Sequence, residues 1–96
     1  MHLTLLARAY CSLCETMQAL VTPVAARFGA TVEVIDIDAH PAWVERWGDL
    51  VPVLLLGEPE DGRELCHYHA DLPALAQALA AAQRPPGGMA GEAEIR

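Results

Sequence analysis

The sequence contains no lysine, and its 96 residues carry a formal net charge of −7. The six arginines, Arg8, Arg27, Arg46, Arg63, Arg84 and Arg96, are scattered, so no basic patch can be drawn. Nucleic-acid affinity rests largely on clustered Lys and Arg, and their lack argues against such a partner. Also missing is any run near the roughly 18 uninterrupted apolar residues of a membrane-spanning helix, so no membrane partner is expected. The opening "MHLTLLARAY" lacks the basic start, long apolar stretch and small-residue cleavage site of a secretory signal, which predicts a cytoplasmic chain. Cysteine is scarce, three residues in all. A reducing compartment opens structural disulfides, so a C-x-x-C there points to catalysis or metal binding instead.

What is present fills one small α/β domain: 53% of the residues are hydrophobic, enough for one core and too few for two. The domain is expected over residues 1–83, with a Pro- and Gly-rich disordered tail over 84–96. Residues 2–7, "HLTLLA", have the length and composition of a buried strand. Leu13, Met17, Leu20, Val21, Val24 and Phe28 then recur at spacings of three and four, one face of a helix closed by Gly29. Pro23 inside it predicts a kink. "TVEVIDID", residues 31–38, reads as a second strand. A short helix follows, capped by Asp38 or His40, opened by Pro41 and ended by Gly48. "VPVLLLG" and "RELCHYH" read as a hairpin around "EPEDG". Asp71 is the expected N-cap of a last helix, "LPALAQALAAAQ", with Leu72, Leu75 and Leu79 inward.

In this βαβαββα order, "YCSLCETM" places Cys11 and Cys14 at the junction of the first strand and first helix. Cys11 would sit at a helix N-terminus, where unpaired N–H groups and the helix dipole favour an anion. That placement lowers a thiol's pKa from about 8.5, and the thiolate is the species that attacks a disulfide. Cys14, one turn on, would be shielded and able to resolve a mixed disulfide. Val51-Pro52 opens the third strand, and an X-Pro bond can be cis at a cost of about 0.5–1 kcal/mol. If cis, the Val51 backbone could turn outward beside Cys11 and pair with a peptide; alternatively, Pro52 simply begins a strand. Tyr10 adjoins Cys11 either as a contact for substrate or as ordinary strand-end packing.

With "CSLC" after the first strand, "VEVIDID", "VPVLLL" and "DLPAL" in this order, the chain resembles the thioredoxin superfamily, and within it the short glutaredoxin-like bacterial thiol-disulfide oxidoreductases. The resemblance covers residues 2 to about 83. It implies a four-stranded mixed sheet flanked by three helices, exchange chemistry at Cys11, resolution by Cys14 and a cis proline at Pro52. Asp71 matches the acidic residue that such proteins place near the glutathione amino group, so Tyr10, Val51, Pro52 and Asp71 are the candidate substrate-binding residues. The chain departs from glutathione-using members in three places: Ser12-Leu13 lies between the cysteines, Arg8 replaces a Lys before the motif, and "HYHAD" lacks a Gly-Gly. It departs from thioredoxins in having Leu5 where a buried aspartate is usual.

The expected partners are a disulfide-containing protein or glutathione disulfide, together with an external thiol reductant, acting on a monomer. No bound cofactor and no metal is expected, with glutathione a candidate reductant or cosubstrate. Two other classes remain open: a zinc or iron–sulfur site built from Cys11, Cys14, Cys66 and a histidine, and a non-catalytic thioredoxin-like binding module. A structural zinc site usually needs four ligands from paired clusters, and only one C-x-x-C is present. Cys66 is expected to be a small buried hydrophobe, with strand alternation separating Cys66 and Tyr68 from His67 and His69.

Overall fold

The computed structural model describes residues 1–83; the tail expected over 84–96 lies outside the described residues. The elements follow as β1 (His2–Ala7), α1 (Ser12–Arg27), β2 (Thr31–Asp36), α2 (Pro41–Trp47), β3 (Val53–Leu56), β4 (Arg63–His67) and α3 (Leu72–Ala82). The strands form one sheet in the order β2-β1-β3-β4. β1 runs parallel to β2 and antiparallel to β3, and β3 pairs antiparallel with β4. The expected four-stranded mixed sheet with three helices is therefore present.

Alternation along β1 explains why its sequence is apolar throughout. Leu3 and Leu5 join Leu54 on one face, where Met17, Val21, Val24 and Ala25 of α1 and Leu75 and Leu79 of α3 close over them. Leu6 joins Val53 and Leu55 on the other face, under Ile37 and Trp47. A central strand buried on both faces has no position for a charge, so its pattern is a run rather than an alternation. The one polar side chain buried there, Thr4, donates its hydroxyl to the Gly57 carbonyl at 2.7 Å. That bond offsets the cost of desolvating both groups.

Several boundaries differ from the sequence expectation, each for a local reason. β2 stops at Asp36, whose carboxylate accepts from the Asp38 N–H and turns Ile37–Ala39 into a single turn of 3-10 helix; Ile37 is thereby buried under the sheet. The inward stripe of α1 is Cys14, Met17, Val21, Val24 and Ala25, leaving Leu13 and Leu20 exposed. α1 continues unbroken through Pro23. Both Pro23 and Ala19, whose carbonyl loses its helical donor, are exposed, so water can take the vacant bond. β4 ends at His67 rather than His69, and the β3–β4 ladder shifts register between Leu54 and Leu55. The extra residue breaks strict alternation, and Leu65 and Cys66 both pack against the α1/α3 core.

Candidate active site

The register of the sheet gathers four chain segments at one end. β1 and β4 arrive there with their C-termini, β3 starts there, and β2 ends there at Asp36. Residues 8–11 leave β1 and turn into α1 at this end. The turn needs a left-handed residue, and Tyr10 takes that conformation at φ 59° with its ring fully exposed. Non-glycine residues pay for this geometry, which tends to persist where the surroundings impose it.

Cys11 is the N-cap of α1. Its backbone is extended, and its sulfur accepts the Cys14 N–H at 3.1 Å. One of the helix's four orphan donors is thus aimed at sulfur, and the dipole favours negative charge at the same spot. The two cysteines are joined as a disulfide, with Cα atoms 5.2 Å apart. Cys11 is partly exposed, whereas Cys14 is buried against α1's inner face. A reagent in solution therefore meets Cys11 first.

A cavity of about 260 Å³ opens beside the pair, lined by Arg8, Tyr10, Cys11, Cys14, Glu15 and Asp36 among others. Arg8 does not stand free in it: the guanidinium meets the Asp38 carboxylate at 2.8 Å. The charge that stands in for a Lys before the motif is already partnered. Val51, Pro52 and Asp71 do not line this cavity. The Val51–Pro52 bond is cis, as the sequence resemblance implied. The segment directly precedes β3, whose first residue Val53 pairs with Leu6 near the end of β1 that leads to Cys11. Val51 bonds to no other main-chain group among the described residues, which leaves it able to pair with an extended peptide. The Asp71 carboxylate accepts the Ala74 N–H at 3.0 Å, the expected cap of α3.

Cys66 lies in β4, half-buried against the α1/α3 core, and is the free cysteine. Burial pushes its thiol above the ordinary value; the Asp71 and Glu64 carboxylates add to this, against a backbone hydrogen bond from Asp71. No histidine lines the cavity beside the disulfide; His2 pairs with Glu33 and Glu58 at the far end of β1, and His67 pairs with Glu64. The sequence reading missed Asp36 and Gln18 as cavity residues and Tyr68 as a neighbour of the Pro52 loop. Tyr68 is assigned to strand by alternation, and only its φ of 63° reveals that it has left β4.

A βαβαββα sheet in this order, carrying a C-x-x-C disulfide at the first helix's N-cap and a cis proline before the third strand, defines a thioredoxin-fold protein with a redox-capable cysteine pair. The family model described as Glutaredoxin-like domain (DUF836) matches residues 2–80, and the chain belongs to that family. Among solved structures it is similar to protein Ne2328 from Nitrosomonas europaea, with 31% identity over 80% of this chain and 88% of that one at TM-score 0.70. It is also similar to protein XcR50 from X. campestris, with 37% identity over 82% and 96% of the two chains at TM-score 0.59. Oxidised mitochondrial thioredoxin 3 from Saccharomyces cerevisiae shares the fold at 16% identity, over 83% and 76% of the chains, at TM-score 0.62. No curated protein matches the chain. Among the described residues no helix is long and apolar enough to cross a membrane.

Proposed function

We propose that this protein is a glutaredoxin-like thiol-disulfide oxidoreductase that reduces disulfides of proteins or of glutathione. The observation that carries the reading is the asymmetry of the pair: Cys11 is accessible at the N-cap with a backbone N–H on its sulfur, and Cys14 is buried one turn below. In the reduced protein the Cys11 thiolate attacks one sulfur of a substrate disulfide. A mixed disulfide forms and the other substrate sulfur leaves as a thiolate, taking up a proton. The Cys14 thiolate then attacks Cys11 Sγ, releases the second substrate thiol and closes the Cys11–Cys14 disulfide. The substrate gains two electrons, and an external dithiol or two monothiols return them to the pair.

Tyr10 and the free Val51 main chain supply the docking edge, with Pro52 fixing the path of that segment; Asp71 stands at the start of α3. Glutathione serves as a reductant or cosubstrate in this reading, and no resident cofactor or metal takes part. The protein acts as a cytoplasmic monomer.

The test is disulfide exchange by the reduced protein with a disulfide-bonded peptide and with glutathione disulfide. Cys11→Ser should abolish exchange, while Cys14→Ser should accumulate a mixed disulfide at Cys11, visible as added mass on the intact protein. Full activity in Cys11→Ser overturns the assignment, and zinc or a chromophore bound to the purified protein in place of a titratable thiol pair overturns the reaction class.

A further inference from the structure

Tyr68 occupies a costly conformation. It follows β4 with φ 63°, the left-handed region that glycine enters freely and that a bulky L-residue enters at an energetic cost. Two bonds go with that twist, and both end on the segment that carries Val51. The Tyr68 N–H donates to the Pro52 carbonyl at 2.9 Å. The phenol hydroxyl donates to the Asp49 carbonyl at 2.7 Å. One residue of β4's end therefore grips both ends of a four-residue stretch, Asp49 to Pro52.

The first bond needs only a backbone, and glycine would make it without the cost. The second needs a side chain long enough to reach across to Asp49 and a hydroxyl at its tip. The His67 ring packs edge-on against the Tyr68 ring at 4.8 Å between centroids. Between the two gripped carbonyls, Leu50 and Val51 rest on the core cluster of Leu6, Ile37, Trp47, Val53 and Leu55, while Val51 bonds to no other main-chain group among the described residues.

We infer that Tyr68 is a positioning residue: its hydroxyl holds the Asp49–Pro52 segment so that the open Val51 main chain meets an extended disulfide peptide at a fixed distance from Cys11. The inference rests on the oxidoreductase reading and adds a residue to it. Tyr68 touches neither sulfur nor the cavity beside the pair, so it acts on docking and leaves the sulfur chemistry alone. The substrate most affected is a peptide long enough to lie along Val51; glutathione disulfide, offering a shorter main chain, should be less affected.

The experiment compares the full-length protein with Tyr68→Phe and Tyr68→Gly. The Phe variant keeps the ring and removes the hydroxyl; the Gly variant also relieves the backbone. Losing one hydrogen bond of ordinary strength corresponds to about a three- to tenfold change in an equilibrium constant. We expect KM for a disulfide-bonded peptide to rise by about that factor in both variants, with kcat and the iodoacetamide reaction of reduced Cys11 unchanged. Amide hydrogen exchange at Leu50, whose N–H bonds to the Trp47 carbonyl in the same segment, should accelerate in the Phe variant.

An active wild type whose peptide KM does not move in Tyr68→Phe, or whose Leu50 exchange is unaltered, overturns the role of Tyr68 alone. A fall in kcat with KM unchanged also overturns it, because the hydroxyl would then act on the chemistry. A wild type inactive toward every disulfide overturns the oxidoreductase reading, and the docking role falls with it.

Discussion

The three cysteines differ by what surrounds each sulfur. Cys11 receives a helix N–H and faces solvent, Cys14 is buried beneath it, and Cys66 lies half-buried in β4 near two carboxylates. Burial disfavours the Cys66 thiolate, so its reactive form is scarcer at neutral pH than that of an ordinary thiol. With the reduced protein and limiting iodoacetamide at pH 7, peptide mass spectrometry should find Cys11 modified before Cys66, and Cys66 labelling should quicken as pH rises; early labelling of Cys66 would contradict this. The sign for stability follows from the same shift. A thiol pKa raised by folding contributes stability that is fully present below the unfolded value of about 8.5 and lost as pH rises through the folded one. The sequence made Cys11 and Cys14 stand out by spacing, and Asp71 by its place before a helical pattern. It gave no sign of the Arg8–Asp38 pair, because nothing local links a residue after β1 to one in the turn after β2.

The helices begin and end where short-range chemistry directs. Asp71 shows how one side chain at an element's end can have two explanations, a cap for α3 and a contact for substrate. Its carboxylate satisfies the Ala74 N–H, so Asp71→Ala should cost about 1 kcal/mol in chemical denaturation. Asp71→Asn keeps the acceptor and should retain nearly all of that stability, with any change in KM for glutathione disulfide then reporting the lost charge alone. Equal destabilisation by Ala and Asn would refute the capping account. Boundary differences among the elements have separate causes. The 3-10 turn after β2 depends on Asp36 and on a pocket for Ile37 under the sheet, and the early end of β4 depends on a bulge set by its pairing with β3.

For the whole molecule, the sheet order brings the Cys11 turn, the Val51 segment, the start of α3 and the end of β2 to one rim, while two cores of unequal size hold the sheet between helices. At −7 the chain repels acidic partners and attracts basic ones across solvent. The rate of exchange with a basic disulfide protein should therefore fall as salt is raised from about 0.01 to 0.15 M, where the screening length shortens from about 30 to 8 Å, and the rate with an acidic one should rise. Stopped-flow rates that ignore salt in both cases would show that net charge does not steer encounter.

By itself the sequence determined what depends on neighbours in the chain: a buried strand from its apolar run, helices from their periodicity and caps, and Cys11 with Cys14 at a strand–helix junction. Periodicity, capping and the C-x-x-C spacing act over a few residues, so they are written in contiguous text. Only the tertiary structure decided the contacts between segments far apart: Thr4 on Gly57, Arg8 on Asp38, and Tyr68 twisted to reach Asp49 and Pro52. Each depends on strand register, and register is set by how two distant apolar faces settle against one core.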